Sequence, residues 1–232
     1  MLELTIYPDA FGEPSASPFC VKGICLLNLA GVEWKPHVTP DPRKAPKAKF
    51  PVLKDGGKFI PDTEQIREHL EAHHGADFNK GLDATERATA RAIARMVEEH
   101  LYFAIVCDRW GDDANWAIVK KVYFGHLPGV VRGFITPMVR KQALGQARQQ
   151  GMGRHTPEER LARCRHDVDA VATLLGDKPF LFGDRPTAAD ASAVPMLRAA
   201  AGAPVATPLS RYISENETLM AYLERGKDAM YG

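Results

Sequence analysis

The spacing of apolar residues divides this chain in two. From residue 2 to about 78 the period changes repeatedly, whereas beyond residue 83 it stays helical. Such a pattern predicts an α/β unit over residues 1–78 and an all-α unit over 84–232, joined by the polar connector Asn79 to Asp83. Leu2, Leu4 and Ile6 alternate with polar neighbours, predicting a strand closed by Tyr7. Ser17-Pro18 opens a helix that runs to Ala30 and stops at Gly31, and Glu33 to Val38 predicts a second strand. Pro51-Val52-Leu53, Asp55-Gly56-Gly57 and Lys58-Phe59-Ile60 predict a hairpin with a glycine turn. Asp62-Thr63 then begins a helix with Ile66 and Leu70 one turn apart.

In the second half, Ile93, Met96, Val97, Leu101, Ala104 and Ile105 lay one apolar stripe along a long helix. The pattern is weakest from 111 to 155, where Asp112-Asp113-Ala114-Asn115 reads as a loop and Pro128 and Pro137 are expected to break the remaining stretch into short helices. Thr156-Pro157-Glu158-Glu159 is a capping box with proline at the first helical position. It predicts a helix to Leu175, stopped by Gly176, with Leu161, Cys164, Val168 and Val171 facing inward. Pro186 to Asp190 starts another helix, and Glu217 to Met230 forms the last.

Charge narrows the function classes. Thirty Lys and Arg against 29 Asp and Glu leave a net charge of +1, so no bulk field recruits nucleic acid or an anionic membrane. Small-molecule chemistry is the remaining expectation. No apolar run approaches the roughly 20 residues that span a bilayer, and the first residues carry no secretory pattern, so the expected location is cytoplasmic. Cys20, Cys25, Cys107 and Cys164 lack CxxC spacing, the eight histidines form no HxH or HExxH, and His73-His74 reads as a solvated helix end. No metal site is expected.

Two short segments carry chemistry. In Ser17-Pro18-Phe19-Cys20, a helix N-terminus comes after a strand and a loop, where free amides and the helix dipole favour an anion. The Ser17 hydroxyl could donate to a bound thiolate and lower its pKa. An ordinary cap with proline at the next position would read the same way. In Lys49-Phe50-Pro51-Val52-Leu53, a proline at the mouth of a strand marks an edge, a bulge or a cis bond; a cis bond would turn the Phe50 backbone outward toward an extended ligand. Asp62 and Thr63, at the next helix start, suit an ammonium and a carboxylate respectively, which is amino-acid recognition, although they too could be capping residues.

Together these pieces resemble the glutathione S-transferase superfamily over essentially the whole chain. Ser17-Pro18-Phe19-Cys20-Val21-Lys22 is similar to the SPFxxK/R segment of serine-type transferases, and it aligns with the CPxC site of glutaredoxins with Ser17 in place of the first cysteine. Phe50-Pro51 resembles the pair ending in the family's cis-proline, Asp62-Thr63 its acidic-hydroxyl pair, and Gly183 to Asp190 its G-x-x-P-T-x-A-D element. Glu98 to Phe103, Asp108 to Trp110 and Gly151 to His155 are similar to the branch containing metaxins and failed-axon-connections-like proteins. The resemblance implies a thioredoxin-like N-terminal domain that binds glutathione as co-substrate and an all-helical C-terminal domain. It also implies a homodimer, and a detoxifying transfer of the glutathione thiolate to a small electrophile.

By the same resemblance Ser17 activates the glutathione sulfur, and the Phe50 backbone pairs with the cysteinyl part. Asp62 and Thr63 take the γ-glutamyl end, and Lys49 meets the glycyl carboxylate. Thr187 and Asp190 are structural. Tyr7 and Cys20 stand as rival thiol-handling residues, Tyr7 by analogy with tyrosine-type transferases and Cys20 by its place near the helix terminus. Tyr102, Phe103, Trp110 and Trp116 are candidates for lining a pocket for the electrophile, formed by the loop after Tyr7, the long helix and residues 111–155. The alternative is a non-catalytic member that binds glutathione or a protein partner.

Overall fold

The computed structural model describes residues 1–232, which form two compact units. The first comprises Met1–Ala94, Leu175–Pro195 and Ala221–Gly232; the second comprises Arg95–Leu174 and Met196–Met220.

The first unit is built on a four-stranded sheet of order β2-β1-β3-β4, with β1 at Leu2–Ile6, β2 at Trp34–Val38, β3 at Val52–Asp55 and β4 at Lys58–Pro61. β1 runs parallel to β2, pairing Leu4 with Pro36, and antiparallel to β3, pairing Leu4 with Leu53. The parallel pair is connected through helix α1 (Pro18–Leu29), as a parallel crossover requires. Gly56 and Gly57 adopt φ of 53° and 90°, so the β3–β4 turn needs both glycines. Helix α2 (Thr63–His73) comes after β4, burying Ile66 and Leu70, and helix α3 (Ala84–Arg95) buries Ala90 and Ile93. Gly23 lets α1 approach the sheet closely, since a Cβ there would stand 3.3 Å from both Leu4 and Pro51.

The last helix of the chain, Glu217–Met230, begins in the second unit and ends in the first. There Asn28 donates to the Met230 carbonyl at 2.9 Å and accepts from the Trp34 indole at 2.8 Å.

The second unit is helical. The expected long helix is present with two π-helical stretches in it: α3 runs into one at Met96–Leu101, then α4 (Tyr102–Val106) and a second at Cys107–Gly111, the joining residues Arg95, Leu101, Val106 and Cys107 all keeping right-handed helical backbone. The inward stripe survives, with Val97, Leu101, Ala104 and Ile105 buried. Asp112 to Asn115 is not a loop. Asp112 is the N-cap of α5 (Asp113–Phe124), accepting from the Asn115 amide at 2.8 Å. Nor does Pro137 end a helix, because α6 runs unbroken from Gly129 to Gln150 around it. The carbonyl of Gly133, which loses its helical donor to Pro137, lies at an exposed position, and the Thr136 hydroxyl bonds the Arg132 carbonyl at 2.9 Å.

Helix α7 (Pro157–Leu175) starts at the expected box, Glu159 and Thr156 bonding reciprocally at 2.9 and 3.3 Å. Cys164, Val168 and Val171 are fully buried. Helices α8 (Ala188–Ala201), α9 (Pro208–Ser214) and α10 (Glu217–Met230) complete the chain; α9 is not anticipated by the sequence pattern. Inside this unit Asp108 accepts from Thr207 at 2.7 Å and from Arg160 at 3.3 Å, and Trp110 stacks on Trp116 at 5.2 Å.

Candidate active site in the first unit

The loop between β1 and α1 folds back on itself. Ala10 and Glu13 form a two-way bridge, and the Ala16 amide reaches the Pro8 carbonyl at 2.8 Å. Its end is pinned by Ser15, a buried residue whose hydroxyl donates to the Tyr7 carbonyl at 2.9 Å and accepts from the Ser17 amide at 3.5 Å. The nine-residue length of this loop therefore does not separate Tyr7 from Ser17. Nothing in the sequence singles out Ser15, because a serine in a polar loop carries no local signal of burial.

Ser17 is the N-cap of α1, with extended φ and ψ of −106° and 123° and Pro18 at the first helical position. Its side chain makes no capping hydrogen bond. Ser17 is half-exposed at the positive end of a 12-residue helix, its hydroxyl not spent on capping. Cys20, one turn on, is fully buried. Burial pushes its thiol up to about 11, against the smaller lowering effect of the Tyr7 backbone and the Ser15 and Ser17 hydroxyls. Desolvation thus outweighs the helix terminus that the sequence suggests would acidify it.

Phe50 and Pro51 are joined by a cis bond. The β3 ladder begins at Val52, so the Phe50 amide and carbonyl lie outside the strand pairing. The Phe50 ring is packed edge-on against Tyr7, with centroids 4.9 Å apart, so the tyrosine ring is held beside the cis-proline segment. Lys49, just before, is exposed.

Asp62 caps α2 by accepting from the Glu64 amide at 2.9 Å, while its own amide faces the Pro51 carbonyl at 3.4 Å. Its φ is 78°, in the left-handed region that non-glycine residues seldom occupy. Thr63 is buried at the first position of α2. The amides of the first turn have no acceptor within the helix. The structure thus links Tyr7 to Phe50 by ring contact, Asp62 to Pro51 by the backbone, and Ser17 to Tyr7 through Ser15. An exposed carboxylate, the first-turn amides of α2 other than that of Glu64, and a cap hydroxyl not spent on capping suit a ligand bearing an amino-acid end and a thiol.

A second polar centre in this unit is fully buried. Asp190, in the first turn of α8, accepts from the Leu181 amide at 3.0 Å, the Thr187 amide at 2.8 Å, the Thr187 hydroxyl at 2.8 Å and the Tyr222 hydroxyl at 2.9 Å. Four donors and no exposure make it a structural anchor.

Comparison with known proteins identifies the family. The family model for the glutathione S-transferase N-terminal domain matches residues 18–115, and that for the C-terminal domain matches residues 164–226. Isoprene-epoxide–glutathione S-transferase of Rhodococcus sp. (strain AD45) is 33% identical over 239 residues, spanning 97% of each chain. Failed axon connections of Drosophila melanogaster is 29% identical over 94% of this chain and 55% of its own. A metaxin-1 homolog of Caenorhabditis briggsae is 26% identical over 82% of this chain and 61% of its own. Among solved structures, human glutathione S-transferase T1-1 superposes with a TM-score of 0.60 at 17% identity, covering 99% of this chain and 84% of that one. The beta-etherase LigF from Sphingobium sp. strain SYK-6 gives 0.61 at 18% identity, covering 97% and 94%. These two likenesses show the fold. With both family models matched and a third of positions shared along 97% of each chain with one relative, the chain belongs to the glutathione S-transferase superfamily.

Proposed function

We propose that the protein is a glutathione transferase in which Ser17 holds the glutathione sulfur as a thiolate for attack on a small electrophile. The observation that carries this reading is the Ser17 hydroxyl at the N-terminus of α1, unspent on capping. The Phe50 backbone pairs with the cysteinyl residue, Asp62 with the γ-glutamyl ammonium, Thr63 and the first α2 amides with its carboxylate, and Lys49 with the glycyl carboxylate. Residues 1–78 are then the glutathione-binding domain and 84–232 the helical one. The thiolate forms a carbon–sulfur bond as the leaving bond breaks. The Rhodococcus relative is named for an isoprene epoxide, and small epoxides are the first electrophiles to try. With an epoxide the carbon–oxygen bond opens and the oxygen takes a proton from solvent. A homodimer and a cytoplasmic detoxifying role complete the proposal on family grounds.

A free thiol with a pKa near 8.5 is only about 3% ionised at pH 7, and a depression of two units raises that to about three-quarters. A hydrogen bond to a charged group is worth about 1.5–3 kcal/mol, or about one to two pKa units. Ser17→Ala is therefore expected to lower kcat/KM at pH 7 by about 8- to 25-fold and to remove most of the thiolate absorbance of the bound glutathione, with glutathione Kd little changed. Unchanged conjugation kinetics would remove Ser17 from the role, and a larger loss in Tyr7→Phe would transfer it. The second reading, glutathione binding or partner binding without turnover, is supported by relatives whose names state no transferase activity. Calorimetry with glutathione followed by a panel of electrophiles separates the two.

A further inference from the structure

The hairpin and the far end of α2 bring together three side chains that no spacing rule connects. Asp55 closes β3, His69 lies inside α2, and His74 is its C-cap. The Nε2 atoms of both histidines stand 2.9 Å from the same Asp55 oxygen, Oδ2. All three candidate ligand atoms lie within 4.8 Å of one another. His69 is nearly enclosed, its side chain 9% exposed, while His74 and Asp55 keep 25% and 31% open to water. His74 is therefore not the solvated residue that its place at a helix end suggests; its neighbour His73 is exposed.

We propose that Asp55, His69 and His74 form a binding site for a divalent transition-metal ion of the Zn2+ type. Two imidazoles and one carboxylate are the donors such an ion takes, whereas Ca2+ and Mg2+ select oxygen ligands alone. Around an ion held at about 2.0–2.2 Å in tetrahedral geometry, donor atoms sit about 3.3–3.6 Å apart, so the two 2.9 Å edges already present need to open by only about 0.5 Å. Hydrogen bonding to His69 and then to His74 holds the Asp55 carboxyl below its ordinary range, in the form that binds metal. Three protein ligands leave a fourth position, on the exposed side, for water. The ion would tie the β3–β4 turn to the C-terminal end of α2, at the opposite end of that helix from Asp62 and Thr63.

The test is calorimetric titration of the chelator-treated full chain with Zn2+, alongside Asp55→Asn, His74→Gln and, as a control on the other metal-capable trio of the chain, His100→Gln. Expected is saturable binding of one equivalent, weakened more than about tenfold by Asp55→Asn and by His74→Gln, and unchanged by His100→Gln. On the unmodified chain, Zn2+ should protect His69 and His74 from carbethoxylation, read by mass spectrometry, while His73 stays reactive. No saturable binding, binding indifferent to the Asp55 and His74 substitutions, loss on His100→Gln, or absence of protection would each overturn the site.

Discussion

Asp190 offers the sharpest stability test, because its carboxylate gathers two backbone amides and two hydroxyls in a fully buried position. Oδ2 serves the Thr187 amide and hydroxyl, and Oδ1 serves the Leu181 amide and the Tyr222 hydroxyl. Asp190→Asn replaces one oxygen by an NH2 group. Whichever way the amide turns, one backbone N–H faces another donor, while the hydroxyl on that side can rotate and accept instead. One orphaned buried amide costs about 1–3 kcal/mol, and the loss of charge weakens the remaining bonds, so we expect about 2–3 kcal/mol. Asp190→Ala orphans both amides and leaves a cavity, about 4–6 kcal/mol, a large share of the roughly 5–15 kcal/mol that holds a native chain together. In urea, with a slope near 2 kcal/mol/M, Asp190→Asn should lower the midpoint by about 1 M at unchanged slope, and Asp190→Ala should express poorly or unfolded. Tyr222→Phe removes one donor and leaves Oδ1 its amide, so about 1 kcal/mol is expected. An Asp190→Asn midpoint within about 0.2 M of the parent would refute the claim that all four donors need this carboxylate.

Three further outcomes rest on the buried thiols and on the α2 cap. Cys20 should resist alkylation in the native chain at pH 8 and react once urea unfolds it, since burial holds its thiol near 11. Stability should fall as pH rises above about 9: unfolded thiols lose their protons near 9.0, whereas Cys20 and Cys164 keep theirs to about 11 and 12, so the folded state binds more protons across that window. The slope is up to about 1.4 kcal/mol per pH unit per thiol, and a midpoint flat from pH 8 to 10.5 would contradict it. Asp62→Gly should leave stability unchanged or slightly raised, since glycine costs a cap only a few tenths of a kcal/mol and relieves a left-handed φ, yet it should raise the KM for glutathione. An unchanged KM would count against a glutathione contact.

Features written in short sequence windows are legible. The Gly56-Gly57 turn, the Thr156–Glu159 box and the Ser17-Pro18 helix start each depend on residues within four positions, and each stands where expected. The departures share a cause. Asp112 reads as loop because aspartate favours loops and N-caps for the same reason, its side chain bonding nearby amides, and only the helix beyond it decides between them. Pro137 reads as a break, but an exposed helix can leave the carbonyl it frees to water. Ser15, the depth of Cys20 and the meeting of Asp55 with His69 and His74 depend on contacts across elements, which periodicity does not encode.

The candidate site shows where a local reading stops being sufficient. Ser17 and Asp62 both match helix caps, and capping explains each of them in sequence. In the structure capping explains neither fully. Ser17 has the backbone of a cap without the side-chain bond, so a serine is not needed there for the helix. Asp62 has the bond without the usual backbone: Ser17 and Thr207 cap at φ of −106° and −100°, whereas Asp62 caps at 78°. A left-handed non-glycine residue costs of order 1–3 kcal/mol, and a cap contributes about 1 kcal/mol, so capping alone does not offset the conformation. The left-handed turn does keep the Asp62 amide on the Pro51 carbonyl while its exposed carboxylate stands beside the free amides of α2. Each residue departs from the ordinary cap in the direction that leaves a polar group available to a ligand. That shared departure, rather than the motif either residue matches, is what supports the proposal that the two serve one binding site.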